Sequence, residues 1–238
     1  SIGAGAFQGC SSLKRIDIPA SVTNIMYAAL DTHSDLKVVV ADLTAWCNIS
    51  TDWEDEYSDI FGTATPHLYY NQGGAIGLLT AFSIPSDVTQ IRYQAFSKFS
   101  DIQRIILPSS ITSIQPEGLP QKALIVVPDG ERTRFTSMLG SSYRIYENSE
   151  LKYVNKMYYQ VDETNLTATI LDYSQEDYTN EQTITTGNKT YTVTAIGNRA
   201  FMNHPEMEDF KVPSTVTSIG DYAFQGCTLT SIVIPIES

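Results

Sequence analysis

Three histidines, three cysteines and one dense run of carboxylates are the residues of this chain best suited to do chemistry. The run is TDWEDEYSD (51–59), which packs Asp52, Glu54, Asp55, Glu56 and Asp59 into one short stretch. A calcium ion needs several hard oxygens at once, and Asp52, Glu54, Asp55 and Asp59 are the residues that would hold one. A carboxylate pair is also what sugar hydrolysis uses as acid and base. Neither use has its defining spacing here, and a solvated acidic loop is the plainer reading. Cys10, Cys47 and Cys227 show no metal-ligand spacing. Cys10 and Cys227 hold the same place in a duplicated phrase, so they are expected to be small buried hydrophobes. His33, His67 and His204 lie far apart in sequence and in different kinds of element. There is no G-x-S-x-G, no H-E-x-x-H, no phosphate-binding glycine loop and no EF-hand loop. The sequence therefore predicts no catalytic site, no metal centre and no cofactor.

A second kind of chemistry is recognition by aromatic rings. Trp46, Trp53, Tyr57, Tyr69 and Tyr70 crowd one region. Trp53 and Tyr57, flanked by charge, are candidates to stack on a sugar or anchor a protein partner. Trp46, inside DLTAWCNI, is expected in the core. Lys and Arg number 15 against 27 Asp and Glu, a formal charge of −12. That balance speaks against nucleic acid and against anionic membranes, which both reward basic patches. No apolar run is long enough to insert into a membrane. Asn48-Ile-Ser50, Asn165-Leu-Thr167 and Asn188-Lys-Thr190 match the N-glycosylation acceptor pattern.

These residues must be positioned by a repeat. SIGAGAFQGC (1–10) returns as SIGDYAFQGC (218–227). IPASVT (18–23), IPSDVT (84–89), LPSSIT (107–112) and VPSTVT (212–217) are four copies of a second phrase. Pro85 to Pro108, Ile91 to Ile114, Ile2 to Ile25 and Phe201 to Phe224 share one interval, about 23 residues, a period in the range of stacked-repeat proteins. In the first copy Ile16 and Ile18 alternate with Asp17, the pattern of a strand with one face inward. Pro19 follows the strand, where a missing N–H ends ladder pairing. A short strand, a turn and an irregular segment carrying one Phe make one coil of a solenoid. Strands of successive coils are expected to pair in parallel, because no coil can bury its apolar side alone. Phe224 is expected to be the buried plug of its coil. Positions 4 and 5 of the phrase (Ala4 and Gly5, against Asp221 and Tyr222) are expected to face solvent.

SIGDYAFQGCTLTSIVIP and AIGNRAFMNHPEMEDFKVPSTVTSIG resemble BspA-type leucine-rich repeats. The resemblance implies a surface or secreted protein of the kind found in gut and oral anaerobic bacteria, with a signal or lipoprotein anchor outside this chain. It implies no catalytic residues, because the repeated motif is structural.

The predicted fold is a repeat solenoid, mainly β with an irregular convex side, with a β-meander and one short capping helix. Residues 1–148 form an array with an inserted island at about 42–83, closed by a helix at about 129–140. Asp129 is the expected helix cap, and Phe135, Met138 and Leu139 the buried face. Residues 149–238 form a meander, built of hairpins at 156–171 and 182–197, followed by two repeats. The chain starts inside a repeat, so it reads as a fragment of a longer array. Outward strand positions form the expected recognition ribbon: Arg15 and Asp17, then Arg104 and Ile106, then Asp209 and Lys211. The resulting expectation is a non-enzymatic module that binds a protein or adheres to cells. The alternative is a carbohydrate-binding accessory that uses the aromatic island. Open first and last coils also predict weak head-to-tail self-association.

Overall fold

The structure, a computed structural model, describes residues 1–51, 59–115, 117–173, 181–204 and 207–234. The chain divides into two units, Ser1–Ile145 and Tyr146–Ser238. The first unit contains β1 (Arg15–Ile18), β2 (Asp35–Val40), α1 (Leu43–Cys47), β3 (Thr65–Gln72), β4 (Ala75–Leu78) and β5 (Ala81–Ser83). It continues through β6 (Gln90–Ile91), β7 (Arg104–Ile106), β8 (Ser113–Ile114), β9 (Leu124–Val127) and α2 (Arg132–Leu139), and β10 (Arg144–Glu147) spans the division. The second unit holds β11 (Leu151–Val154), β12 (Met157–Asp162), β13 (Thr167–Tyr173), β14 (Thr183–Thr186) and β15 (Lys189–Ile196). β16 (Asp209–Lys211), β17 (Ser218–Ile219) and β18 (Ser231–Val233) follow.

The predicted solenoid is present. β1 pairs with β2, β5 with β7, β7 with β9, and β16 with β18, all in parallel. A second row of short parallel contacts runs through the Ile of the I-G phrase: Ile2 with Ile25, β6 with β8, and β15 with β17. The I-P-x-S-V-T phrase is a turn that starts at the proline carbonyl. The N–H groups of Val22, Val88, Ile111 and Val216 donate to Pro19, Pro85, Pro108 and Pro213 at 3.0–3.3 Å. The Thr closing the phrase then reaches the coil before it: the Thr112 and Thr217 hydroxyls donate to the carbonyls of Thr89 and Thr194.

The convex side is bonded from coil to coil as well. The N–H groups of Phe7, Leu30, Phe96 and Phe201 donate to Ala29, Ile60, Gly118 and Ala223 of the following coil at 2.7–2.9 Å. These bonds go with a left-handed residue two positions before the donor. Counting Ile2 as the second position, the fifth position holds Gly5, Ala28, Gln94, Glu117, Arg199 and Tyr222, with φ between 50° and 61°. The position that the sequence presents as open to any residue is therefore a fixed backbone bend. Of its occupants, Gly alone adopts that bend without a steric cost.

Each unit has its own core. Phe96, Leu119 and Phe201 are fully enclosed plugs. Phe224 is only half-buried, stacked on Phe201 at 5.2 Å, because it lies in the last described coil. In that coil Ile219, Tyr222, Ile232, Val233 and Ile234 are exposed. Cys10 is exposed rather than buried in the first described coil, and Ala6 is exposed there too. Cys227 has a coil behind it, is half-buried, and its thiol donates to the Phe201 carbonyl.

Several details differ from expectation. The step from β2 to β3 is wider than the repeat, Asp35 standing opposite Thr65. α1 follows β2 and is capped by Asp42, whose carboxylate accepts the Ala45 N–H at 2.7 Å. Trp46 is buried there as expected, and its indole N–H donates to the Ala95 carbonyl. The helix at 132–139 has Glu131, not Asp129, at its N-cap, and no side chain caps it. Glu131 instead bonds Arg134. Both predicted hairpins form, β12 with β13 and β14 with β15. The strand order is β11-β12-β13-β15-β14. β15 thus lies parallel to β13 and carries the sheet directly into the coil row through β17.

Glu117 is an exposed test of the left-handed position. Glu117→Gly is expected to raise unfolding free energy by about 0.5–1 kcal/mol, and Glu117→Val to lower it, in urea titrations. Equal stabilities for the two variants contradict the bend.

Candidate functional site

The expected ribbon residues lie on separate sheets. Arg15 and Asp17 are on β1, Arg104 and Ile106 on β7, and Asp209 and Lys211 on β16. Arg15, Asp17, Asp209 and Lys211 are exposed, whereas Arg104 and Ile106 are half-buried. The corresponding face of β9 is closed, with Leu124 and Val126 almost fully buried. Asp52, Trp53, Glu54, Asp55, Glu56 and Tyr57 lie outside the described residues. Asp59 is described, and its carboxylate is engaged: one oxygen meets the Lys98 ammonium at 2.6 Å and the other accepts the Phe61 N–H at 2.9 Å.

The most developed surface is the outward face of the sheet β1-β2-β3-β4. Alternation sends Ile18, Val38, Val40 and Leu68 into the core. The opposite face carries two rows. Arg15, Lys37 and His67 stand side by side in one. Asp17, Val39, Tyr69 and Leu78 form the next. Each of these basic side chains is answered locally. Arg15 makes two bonds to Asp17, at 2.8 and 2.6 Å, which hold the Asp17 carboxyl below its usual range. The Lys37 ammonium sits 3.9 Å above the Tyr69 ring. His67 Nδ1 lies 2.6 Å from Asp101. Between these charges runs an apolar line. Val39 is only 2% exposed although it points outward, and Leu78 is 40% exposed. An apolar centre within a charged rim is the usual anatomy of a protein interface.

Sequence reasoning does not single out Lys37, Val39, His67 and Leu78 for this face. The step from Arg15 to Lys37 is close to that of the repeat, so it is visible in principle once copy two is aligned on its strand. The longer step from Lys37 to His67 hides the rest.

Among the described residues, polar side chains at this face pair with one another. His67 Nδ1 and the Asp101 carboxylate form one such pair. Among the described residues, too, no group of three His, Cys, Asp or Glu is close enough to hold a metal ion. His204, in the Cys place of its repeat, pairs with Asp172 at 3.1 Å, with both side chains largely enclosed. The Cys47 thiol is pushed up to about 12 by burial, too high to supply a thiolate at neutral pH. The neighbouring Arg92 guanidinium is buried over the Trp46 ring at 4.9 Å, and burial lowers it to about 10.

The profile of the BspA type leucine-rich repeat region matches six copies, at residues 1–42, 75–122 and 159–238. The chain belongs to this family. The BspA-type repeat accounts for the turn at the proline, the parallel coil row and the plug residue described above. A comparison with curated proteins finds no match. Among solved structures, the chain is similar to a leucine rich cell surface protein from Faecalibacterium prausnitzii A2-165, at 18% identity and a TM-score of 0.36. That similarity covers 93% of this chain and 61% of the other, so the chain spans less than two thirds of its length.

The buried thiol sets the alkaline response of the BspA-type array. A group whose pKa is raised on folding contributes stability that is whole below its unfolded value and lost as pH climbs to its folded value. Cys47 rises from 9.0 to about 12, and Tyr159 from 10.0 to about 12, both by burial. Arg92, lowered by burial, acts in the opposite sense above pH 10. Stability is therefore expected to begin falling above pH 9, and Cys47→Ala to flatten that first decline. An unchanged slope in the variant, read from melts on either side of that pH, contradicts the assignment.

Proposed function

We propose that this chain is a non-enzymatic recognition module of a surface-exposed or secreted protein, and that it engages a protein partner through the outward face of β1-β2-β3-β4. The observation that carries this reading is the apolar pair Tyr69 and Leu78, backed by the buried Val39 and set among Arg15, Asp17, Lys37 and His67. Membership of the BspA-type family supports it, because stacked coils characteristically present an extended face to partners. The surface setting is what resemblance to that family implies. Self-neutralised charges suit a partner held by shape and apolar contact, with the ion pairs excluding water at the margin. The chain's net charge of −12 steers it away from polyanions.

Beads coated with the chain, applied to intact epithelial monolayers, test this reading. The expected result is adhesion that is lost when the cells are first treated with protease. Leu78→Asp and Tyr69→Ala are each expected to weaken adhesion about tenfold or more, the scale of a central interface residue, with melting unchanged. No adhesion by the parent chain, adhesion that survives protease treatment, or full adhesion by both variants overturns it.

A further inference from the structure

The second unit carries a groove that the reading above does not use. It has a volume of about 530 Å³ and is lined by Glu150, Gln160, Val161, Asp162, Glu163, Thr167 and Thr169. That volume lies within the usual range of small-ligand sites. The groove lies on the outward face of the sheet β11-β12-β13-β15-β14, where register sets Gln160 opposite Thr169 and Asp162 opposite Thr167. Thr192 and Thr183 extend the second of these rows across β15 and β14. On the same face, beyond Gln160, stands Tyr153 of β11, which is 51% exposed and 4.8 Å from the Tyr158 ring. The strand rise places it roughly 7 Å from the Gln160 row.

We infer that this groove is a glycan site, taking a neutral sugar chain with one ring stacked on Tyr153 and its hydroxyls bonded to Gln160, Thr167 and Thr169. The carboxylates argue against a cation, because each already has partners. Asp162 accepts the N–H groups of Thr164 and Asn165 at 2.8 and 3.0 Å and the Asn165 side-chain amide at 2.7 Å. Glu163 is bonded by Lys189 and by the Tyr191 hydroxyl. Glu150 accepts from the Gln160 amide at 3.3 Å. These bonds fix the walls of the groove. The Thr167 and Thr169 hydroxyls, by contrast, bond no protein group among the described residues, and both side chains are half-buried. Paired donor and acceptor capacity beside an exposed aromatic ring is what a polyhydroxyl ligand requires. Three carboxylates against two lysines, Lys189 and Lys152, leave the groove net negative, which disfavours acidic sugars such as sialic acid. The one apolar residue of the lining, Val161, belongs to the buried core, so the groove gives a protein hot spot little to fill.

The test is an array of immobilised neutral oligosaccharides, N-acetylated amino-sugar oligosaccharides and their sialylated forms, probed with the whole chain. Retention of non-acidic glycans over sialylated ones is expected. The double variant T167V/T169V keeps the β-branched shape and removes both hydroxyls, and is expected to weaken retention about tenfold at unchanged melting temperature. Tyr153→Ala is expected to do the same, while Leu78→Asp leaves retention intact. Overturning results are the absence of glycan retention, equal retention of sialylated forms, or retention undiminished in both groove variants. Loss of retention in Leu78→Asp would also overturn it, by moving the site to the first unit.

Discussion

Every coil of this chain depends on backbone hydrogen bonds made to the coil beside it. A regular coil has no helix and only short strands to satisfy its own N–H and C=O groups, and buried ones must be paired. The structure meets that demand at several places around the circumference. It does so in the parallel rows through β1 and β2 and through β5, β7 and β9, in the isoleucine row, at the closing threonines and along the convex side. The left-handed residue at the fifth position goes with these bonds, two positions before the donor N–H groups of Phe7, Leu30, Phe96 and Phe201. The plug side chains occupy the space that the bonded frame encloses, and small residues beside them, such as Ala29, Ala95 and Ala200, let the frame close.

Much of this frame was legible because its signals are local and recur. The common interval between phrases marks the coil, Ile16-Asp17-Ile18 marks the strand, and a proline phrase closed by Thr marks the turn. What escaped was whatever depends on conformation without fixing residue type. Gly, Ala, Gln, Glu, Arg and Tyr share the left-handed position, so no composition signal marks it. The helix boundary is displaced because Asp129 offers a good cap while the chain enters the helix only at Glu131. Cys10 and Cys227 are equivalent in sequence but not in burial. Burial depends on the coil behind each, which is not a property of the residue.

The recognition surface was legible only in part, for the same reason. Arg15 and Asp17 could be named from alternation alone. Their significance comes from Val39, Tyr69 and Leu78, which reach the same row through two unequal steps and a hairpin. The wide step from β2 to β3 is also what places an aromatic and an exposed leucine next to the regular face. Irregularity in a repeat array thus concentrates the residues that distinguish one such protein from another, while the regular coils supply the rigid frame that holds them.

Amide hydrogen exchange tests the bonded convex side most directly. Slow exchange is the consequence of a hydrogen bond that opens only with the structure around it. The account predicts that the amides of Leu30, Phe96 and Phe201 are protected to the same degree as Ile105 and Val126 in the strands. Exchange of all three at the rate of an open loop, with the strand amides still protected, would contradict it.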